Sequence, residues 1–173
     1  MKKSLTILFC LIGFFLHAQD NEVESKNDFN LGLGMGMDYG GVGVRGTFLP
    51  IQKLGFFAGI GYNLDEVGFN TGVQMLLPKR RHAFYFTGMY GYNGVLIVTG
   101  ELEGKGTYYG FSVGAGYQLK VGRNKNFWNW EILVPFRNRN FYNDYDTLKN
   151  LRQNPGDILP VTLSVGYHIQ IRP

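Results

Sequence analysis

From Phe29 the chain alternates. Phe29, Leu31, Leu33, Met35, Met37 and Tyr39 take every second position, with Asn30, Gly32, Gly34, Gly36 and Asp38 between them. A period of two sends successive side chains to opposite faces, so residues 29–39 are predicted to form a strand with one apolar face and one small or polar face. Gly40-Gly41 supplies the positive φ angles of a tight hairpin. Val42, Val44 and Phe48 then resume the alternation against Gly43, Arg45 and Thr47, and Pro50 is expected to end this second strand. The same pattern predicts strands over 54–63, 67–76, 84–98, 107–121, 128–136 and 158–171, eight in all.

Most of these segments are longer than the 5 to 6 residues usual in soluble sheets, and they suit the roughly 9 to 11 residues with which a tilted strand crosses a bilayer. Their connections alternate as well: 50–53, 78–81 and 122–126 are short, while 100–106 and 137–157 are longer. Short turns at one end and long loops at the other form the asymmetry of outer-membrane barrels. Within the last loop, Leu148 and Leu151 stand at helical spacing in 144–153, which predicts one or two helical turns ended by Pro155-Gly156.

A glycine-aromatic-polar tripeptide recurs at Gly61-Tyr62-Asn63, Gly68-Phe69-Asn70, Gly91-Tyr92-Asn93, Gly116-Tyr117-Gln118 and Gly166-Tyr167-His168. On a strand its first and third residues share a face. The reading is therefore a lumen lined by glycine and polar groups, with rings outside. Asp38, Arg45, Asn70, Gln74, Gln118, Glu131 and His168 all fall on the glycine-bearing face. They are read as a structural polar plug, because a closed barrel must pair its lumen groups with one another or with water. Trp128, Trp130, Tyr117 and Tyr167 fall near one end of their strands, and Tyr39, Tyr62, Phe69 and Tyr92 nearer the other, which suggests two aromatic girdles. A soluble sandwich would have to fill its interior with large groups, and this glycine face would leave voids there.

Composition narrows the class. The 173 residues include 25 glycines, about twice the usual share, and only 17% are charged, which disfavours a helical or α/β enzyme core. A hydrophobic content of 45% excludes a disordered tail, and the lack of a three-residue glycine repeat excludes collagen. At the N-terminus, Lys2 and Lys3 precede the apolar run Leu5 to Leu16, and Ala18 offers a small residue before a cut. Residues 1–18 read as a cleaved signal peptide, residues 19–28 as a polar leader, and residues 29–171 as one barrel domain. Cys10 lies mid-run behind bulky Phe9, which argues against a lipid anchor, and cleavage leaves no cysteine. Loss of the two lysines lowers the formal charge of +4 by two, so the basic balance implies no nucleic-acid partner.

The sequence offers four candidate chemistries. Gly41-Val-Gly43-Val-Arg45-Gly46 fits a dinucleotide pattern, yet Thr47-Phe48-Leu49-Pro50 follows where a helix must begin, so no nucleotide is expected. His82 and His168 are too few for a metal site, and no cofactor is expected. Ser164, His168 and Glu131 are the candidates for a nucleophile, base and acid in a lipid-modifying barrel. Ser164 and His168 lie four residues apart on one strand, about 13 Å, too far for a hydrogen bond, so another serine such as Ser112 would have to reach across the lumen. Glu131 and His168 are instead expected to oppose each other on adjacent strands as a register-fixing pair. Lys79-Arg80-Arg81, with Arg123 and Lys125, read as solvated turns, with acidic headgroup binding as the alternative.

The last strand, with Ser164, Gly166, Ile169 and Ile171, looks like the C-terminal assembly signal of outer-membrane proteins. With the signal peptide and eight strands, the chain resembles small eight-stranded outer-membrane β-barrels of the OmpX and OmpA transmembrane-barrel type, including uncharacterised Gram-negative relatives. The resemblance implies an all-β, antiparallel up-and-down transmembrane barrel, inserted by the outer-membrane assembly machinery, in contact with outer-membrane lipid, and monomeric. It carries over no catalytic residue. Expected is a non-enzymatic barrel with a structural or surface-interaction role carried by its longer loops. The alternatives are a lipid-modifying enzyme and a narrow porin-like channel for small solutes. An eight-stranded interior is just filled by side chains, which weakens the channel. A lipocalin-like soluble barrel would need the opposite facing.

Overall fold

The computed structural model describes residues 25–78, 82–98, 104–122, 126–150 and 158–171. The expected signal peptide 1–18, residues 19–24 of the expected leader, Lys79-Arg80-Arg81, Arg123 and Lys125 lie outside them, as does Leu151. Eight antiparallel strands close into a barrel in chain order: β1 (Ser25–Gly36), β2 (Gly41–Ile51), β3 (Leu54–Tyr62), β4 (Val67–Pro78), β5 (His82–Val98), β6 (Gly104–Val121), β7 (Asn126–Phe136) and β8 (Thr162–Ile171). Closure is made by β1 on β8, with Phe29 opposite Ile171 and Met35 opposite Val165. No strand edge is left unpaired in such a ring.

Alternation sets which face each residue takes. On β7, Phe127, Asn129, Glu131 and Leu133 are buried inside while Trp128, Trp130, Ile132 and Val134 are exposed outside. On β8, Ser164, Gly166 and His168 point inward and Leu163, at 74% exposure, points out. Pro50 does not end β2. It lies where the β2–β3 register shifts between Phe48 and Ile51, a place where no ladder N–H is required of it. β1 begins at Ser25, four residues before the expected start, and so takes in part of the expected leader.

The main departure is at the first hairpin. Instead of continuing as strand to Tyr39, the chain leaves β1 at Gly36 and makes a one-turn 3-10 helix, Met37–Tyr39, folded into the lumen. Gly36, Gly40 and Gly41 all have positive φ, at 137°, 71° and 114°, values that side-chain-bearing residues rarely adopt. The turn is wholly buried, Tyr39 at 0% exposure. The glycines of the surrounding wall make room for it: a Cβ on Gly59 would strike the Asp38 carbonyl, and one on Gly166 would strike the Tyr39 hydroxyl.

Two further departures bear on the mouths of the barrel. One helix, α1 (Arg139–Asn150), stands between β7 and β8, starting earlier than the spacing of Leu148 and Leu151 predicts. Its start is set by Asn138, whose Oδ1 accepts the Phe141 N–H at 2.9 Å, and its buried residue is Phe141. β8 accordingly begins at Thr162, later than the expected 158. On β5 a bulge between Tyr92 and Gly94, beside a positive φ at Gly91, breaks the alternation.

Candidate functional site

The lumen is filled around one guanidinium. Arg45 projects inward from the middle of β2, 1% exposed, and its Nη1 donates to Asp38 Oδ2 and, at 3.1 Å, to Glu131 Oε2. Nη2 donates to Gln74 Oε1 at 2.7 Å, and the plane sits 3.8 Å over the Phe57 ring. One cation thus faces two carboxylates, an amide and an aromatic face from β4, β7, β3 and the inward turn. Tyr85 on β5 continues the network, its single hydroxyl proton shared between Asn129 Oδ1 at 2.5 Å and Glu131 Oε2 at 2.9 Å.

A second group holds the turn from its other side. The Tyr39 hydroxyl and His168 Nε2 share a hydrogen bond of 2.6 Å, and the His168 ring stacks on Phe127 at 4.7 Å. Asn70 Nδ2 donates to the Met37 carbonyl and, at 3.2 Å, to that of Tyr92. Met37 itself joins Phe57, Met89 and Leu133 in a small apolar cluster above the ionic layer.

Of the residues assigned to the lumen, Asp38, Arg45, Asn70, Gln74, Glu131 and His168 are buried in this cluster, and Gln118 stands half-buried at the short-turn mouth. Asp38 reaches it from the inward turn and not from a strand face. The expected pairing of Glu131 with His168 is incorrect. Glu131 faces Ser164 and His168 faces Phe127, a register four residues away, because the connection carrying α1 closes over a shorter stretch of chain than a Glu131–His168 pairing requires. Two of the expected girdle rings are also misplaced. Tyr39 is inside the barrel because the turn inverts, and Tyr92 packs on the Met37 cluster because of the bulge. Tyr62, Phe69, Trp128 and Trp130 are exposed on the outer face, with Tyr117 and Tyr167 half-exposed there.

Sequence reasoning placed Asn93 on the lumen face through its tripeptide, and missed Tyr85, Asn129 and Phe57. The signal was present in parity, since each sits on the same face of its strand as a residue already assigned inward. Ser164 and His168 do not approach a shared reacting position: they are four residues apart on β8, and His168 Nε2 is held by Tyr39. Ser112 is engaged by Asn93 Nδ2 at 3.1 Å. Among the described residues, no three His, Cys, Asp or Glu side chains converge as a metal would need.

Cavities remain at both mouths. One of about 210 Å³ at the short-turn end is lined by Asn30, Gln118, Lys120 and Gln170. Another of about 230 Å³ lies at the loop end beneath Arg137 and Phe141. A further recess, about 560 Å³, is instead an outside furrow over Ala115, flanked by Trp130, Tyr117, Phe84 and Leu163. What this fold defines is a closed eight-stranded antiparallel barrel with a side-chain-filled lumen. The sequence matches no family model and no curated protein.

Proposed function

We propose that the chain is a non-enzymatic outer-membrane β-barrel with a structural or surface-interaction role, its lumen closed by the Arg45 plug. The observation that carries the reading is the direction of polarity. Around the ring the outward positions are large and apolar, Leu33, Val44, Ile60, Phe86, Phe111, Ile132 and Leu163 among them, while the inward ones are Arg45, Gln74, Glu131 and His168. Soluble proteins rarely expose continuous apolar surface beyond a few hundred Å². A bilayer makes the same surface favourable, and a closed barrel satisfies every ladder hydrogen bond there.

Further support comes from the sequence, whose N-terminal run has the pattern of a secretory signal. No helix among the described residues is long and apolar enough to cross a membrane, so any crossing is by strands. The ionic layer across the lumen favours a plug over a channel, and the separation of Ser164 from His168 favours a structural role over catalysis. Contact with outer-membrane lipid and insertion by the assembly machinery follow from the same reading. The test is fractionation of cells expressing the full chain. The expected outcome is recovery in the outer membrane without residues 1–18, with gel migration that changes on boiling, and a folded soluble product would refute it.

A further inference from the structure

The loop-end cavity has a chemistry that the plug does not use. Arg137 leaves β7 at its rim, and the cavity below is walled by Met37, Leu96, Phe141 and Ile158, with Asn93 and Thr162 beside them. Arg137 Nη1 donates to the Leu159 carbonyl at 2.8 Å, its plane lies 5.0 Å from the Phe141 ring centre, and Tyr142 also bonds to it. Among the described residues no carboxylate pairs with it, in contrast to Arg45. Its Nε is buried without a partner. Burial pulls the guanidinium below its ordinary pKa, as expected of a cation held partly out of water without a counter-ion.

Asn93 presents the complementary group. Its Nδ2 donates to the Phe111 carbonyl at 2.8 Å, which sets the orientation of the amide, because a flip would put oxygen against oxygen. Oδ1 is consequently an acceptor, 1% exposed as a residue, with no partner. Both residues line the one cavity, and the chain beside Asn93 runs close to the guanidinium, since a Cβ added to Gly94 would stand 3.4 Å from Arg137 Nε. An orphan cation and an orphan acceptor beside an apolar wall form a site with an unmet need for an anion and a donor.

We infer that this cavity binds a small α-substituted carboxylate, its carboxylate on Arg137, a neutral N–H or O–H on its α-carbon at Asn93 Oδ1, and an aliphatic side chain against Met37, Leu96 and Ile158. An α-ammonium is disfavoured beside Arg137. The chemistry is shared by N-acylated amino acids and α-hydroxy acids, and a volume of about 230 Å³ lies below the roughly 300 to 1,000 Å³ of drug-sized sites. The inference rests on the barrel alone and not on its membrane location.

The test is calorimetric titration of the full chain, folded in detergent, with N-acetylleucine, the hydroxy-acid analogue of leucine, and N-acetylleucinamide. Saturable binding of either acid, with the neutral amide weaker by about tenfold or more, is the expected result. The tighter of the two acids then identifies the donor. Arg137→Gln should reduce acid affinity to that of the amide, and Arg137→Lys should retain part of it. Equal binding of acid and amide, no saturable binding of any of the three, or an unchanged affinity in Arg137→Gln would overturn the inference. If Arg137→Gln fails to fold, the comparison of acid and amide on the unaltered chain decides it.

Discussion

Arg45 is the counter-ion of two carboxylates that the fold buries in the lumen. Without the guanidinium, the Asp38 and Glu131 carboxylates would remain in the lumen without a counter-ion. Breaking a buried pair from one side costs about 3 to 5 kcal/mol, whereas replacing all the charges together is often nearly neutral. Arg45→Leu is therefore expected to lower unfolding stability in urea by about that amount. The triple change Arg45→Leu, Asp38→Asn and Glu131→Gln should recover most of it, and equal losses would show that the ion pairs are not the cause. Tyr39→Phe removes a single hydrogen bond to His168 and should cost about 1 kcal/mol in the same assay. The inward direction of Arg45, Gln74 and Asn70 was legible from parity alone. Their partners were not, since a face says nothing of which residue across the lumen will be met.

The inward turn Met37–Tyr39 explains the glycine-rich wall more specifically than crowding in a narrow barrel does. Glycines on β1, β2, β3, β4 and β8 lie against turn atoms, so their placement encodes the shape of a plug. Gly59→Ala puts a methyl group against the Asp38 carbonyl and should destabilise by about 1 to 3 kcal/mol. Gly88→Ala meets nothing within 4 Å and should be tolerated. Melting temperatures of the two variants in detergent give the comparison, and equal losses would mean that the turn does not dictate the wall. The hairpin alternation through Met37 and Tyr39 reads as strand in sequence because period two is a local signal, and a reversal into the lumen leaves the same spacing.

Ring closure gives the molecule two surfaces of opposite character, and the membrane reading predicts an asymmetry between them. Leu163→Arg and Val165→Arg place a cation on the outer face of β8, where it should cost about 2 to 4 kcal/mol at mid-bilayer. Thr162→Arg points to the loop-end mouth, where water is near, and should fold far better in lipid vesicles. Equal tolerance would remove the argument for a lipid-facing exterior. In planar bilayers the unaltered protein should show no conductance steps, because Arg45, Tyr85, Glu131 and Gln74 span the lumen. Stepwise currents would contradict the plug.

Strand number, strand direction and facing were determined by the sequence, because alternation, glycine pairs and loop lengths are written in consecutive residues. A glycine-lined face opposite an apolar one was enough to exclude a sandwich. The tertiary structure alone decided what fills the lumen and at what register. His168 lies opposite Phe127 and not Glu131 because the connection through α1 closes over less chain than that pairing needs, so Glu131 meets Ser164. Tyr39 is inside and not outside because a three-residue turn inverts between glycines. Both outcomes depend on residues far apart in sequence meeting across a closed ring, and on the space available there, which no local period records.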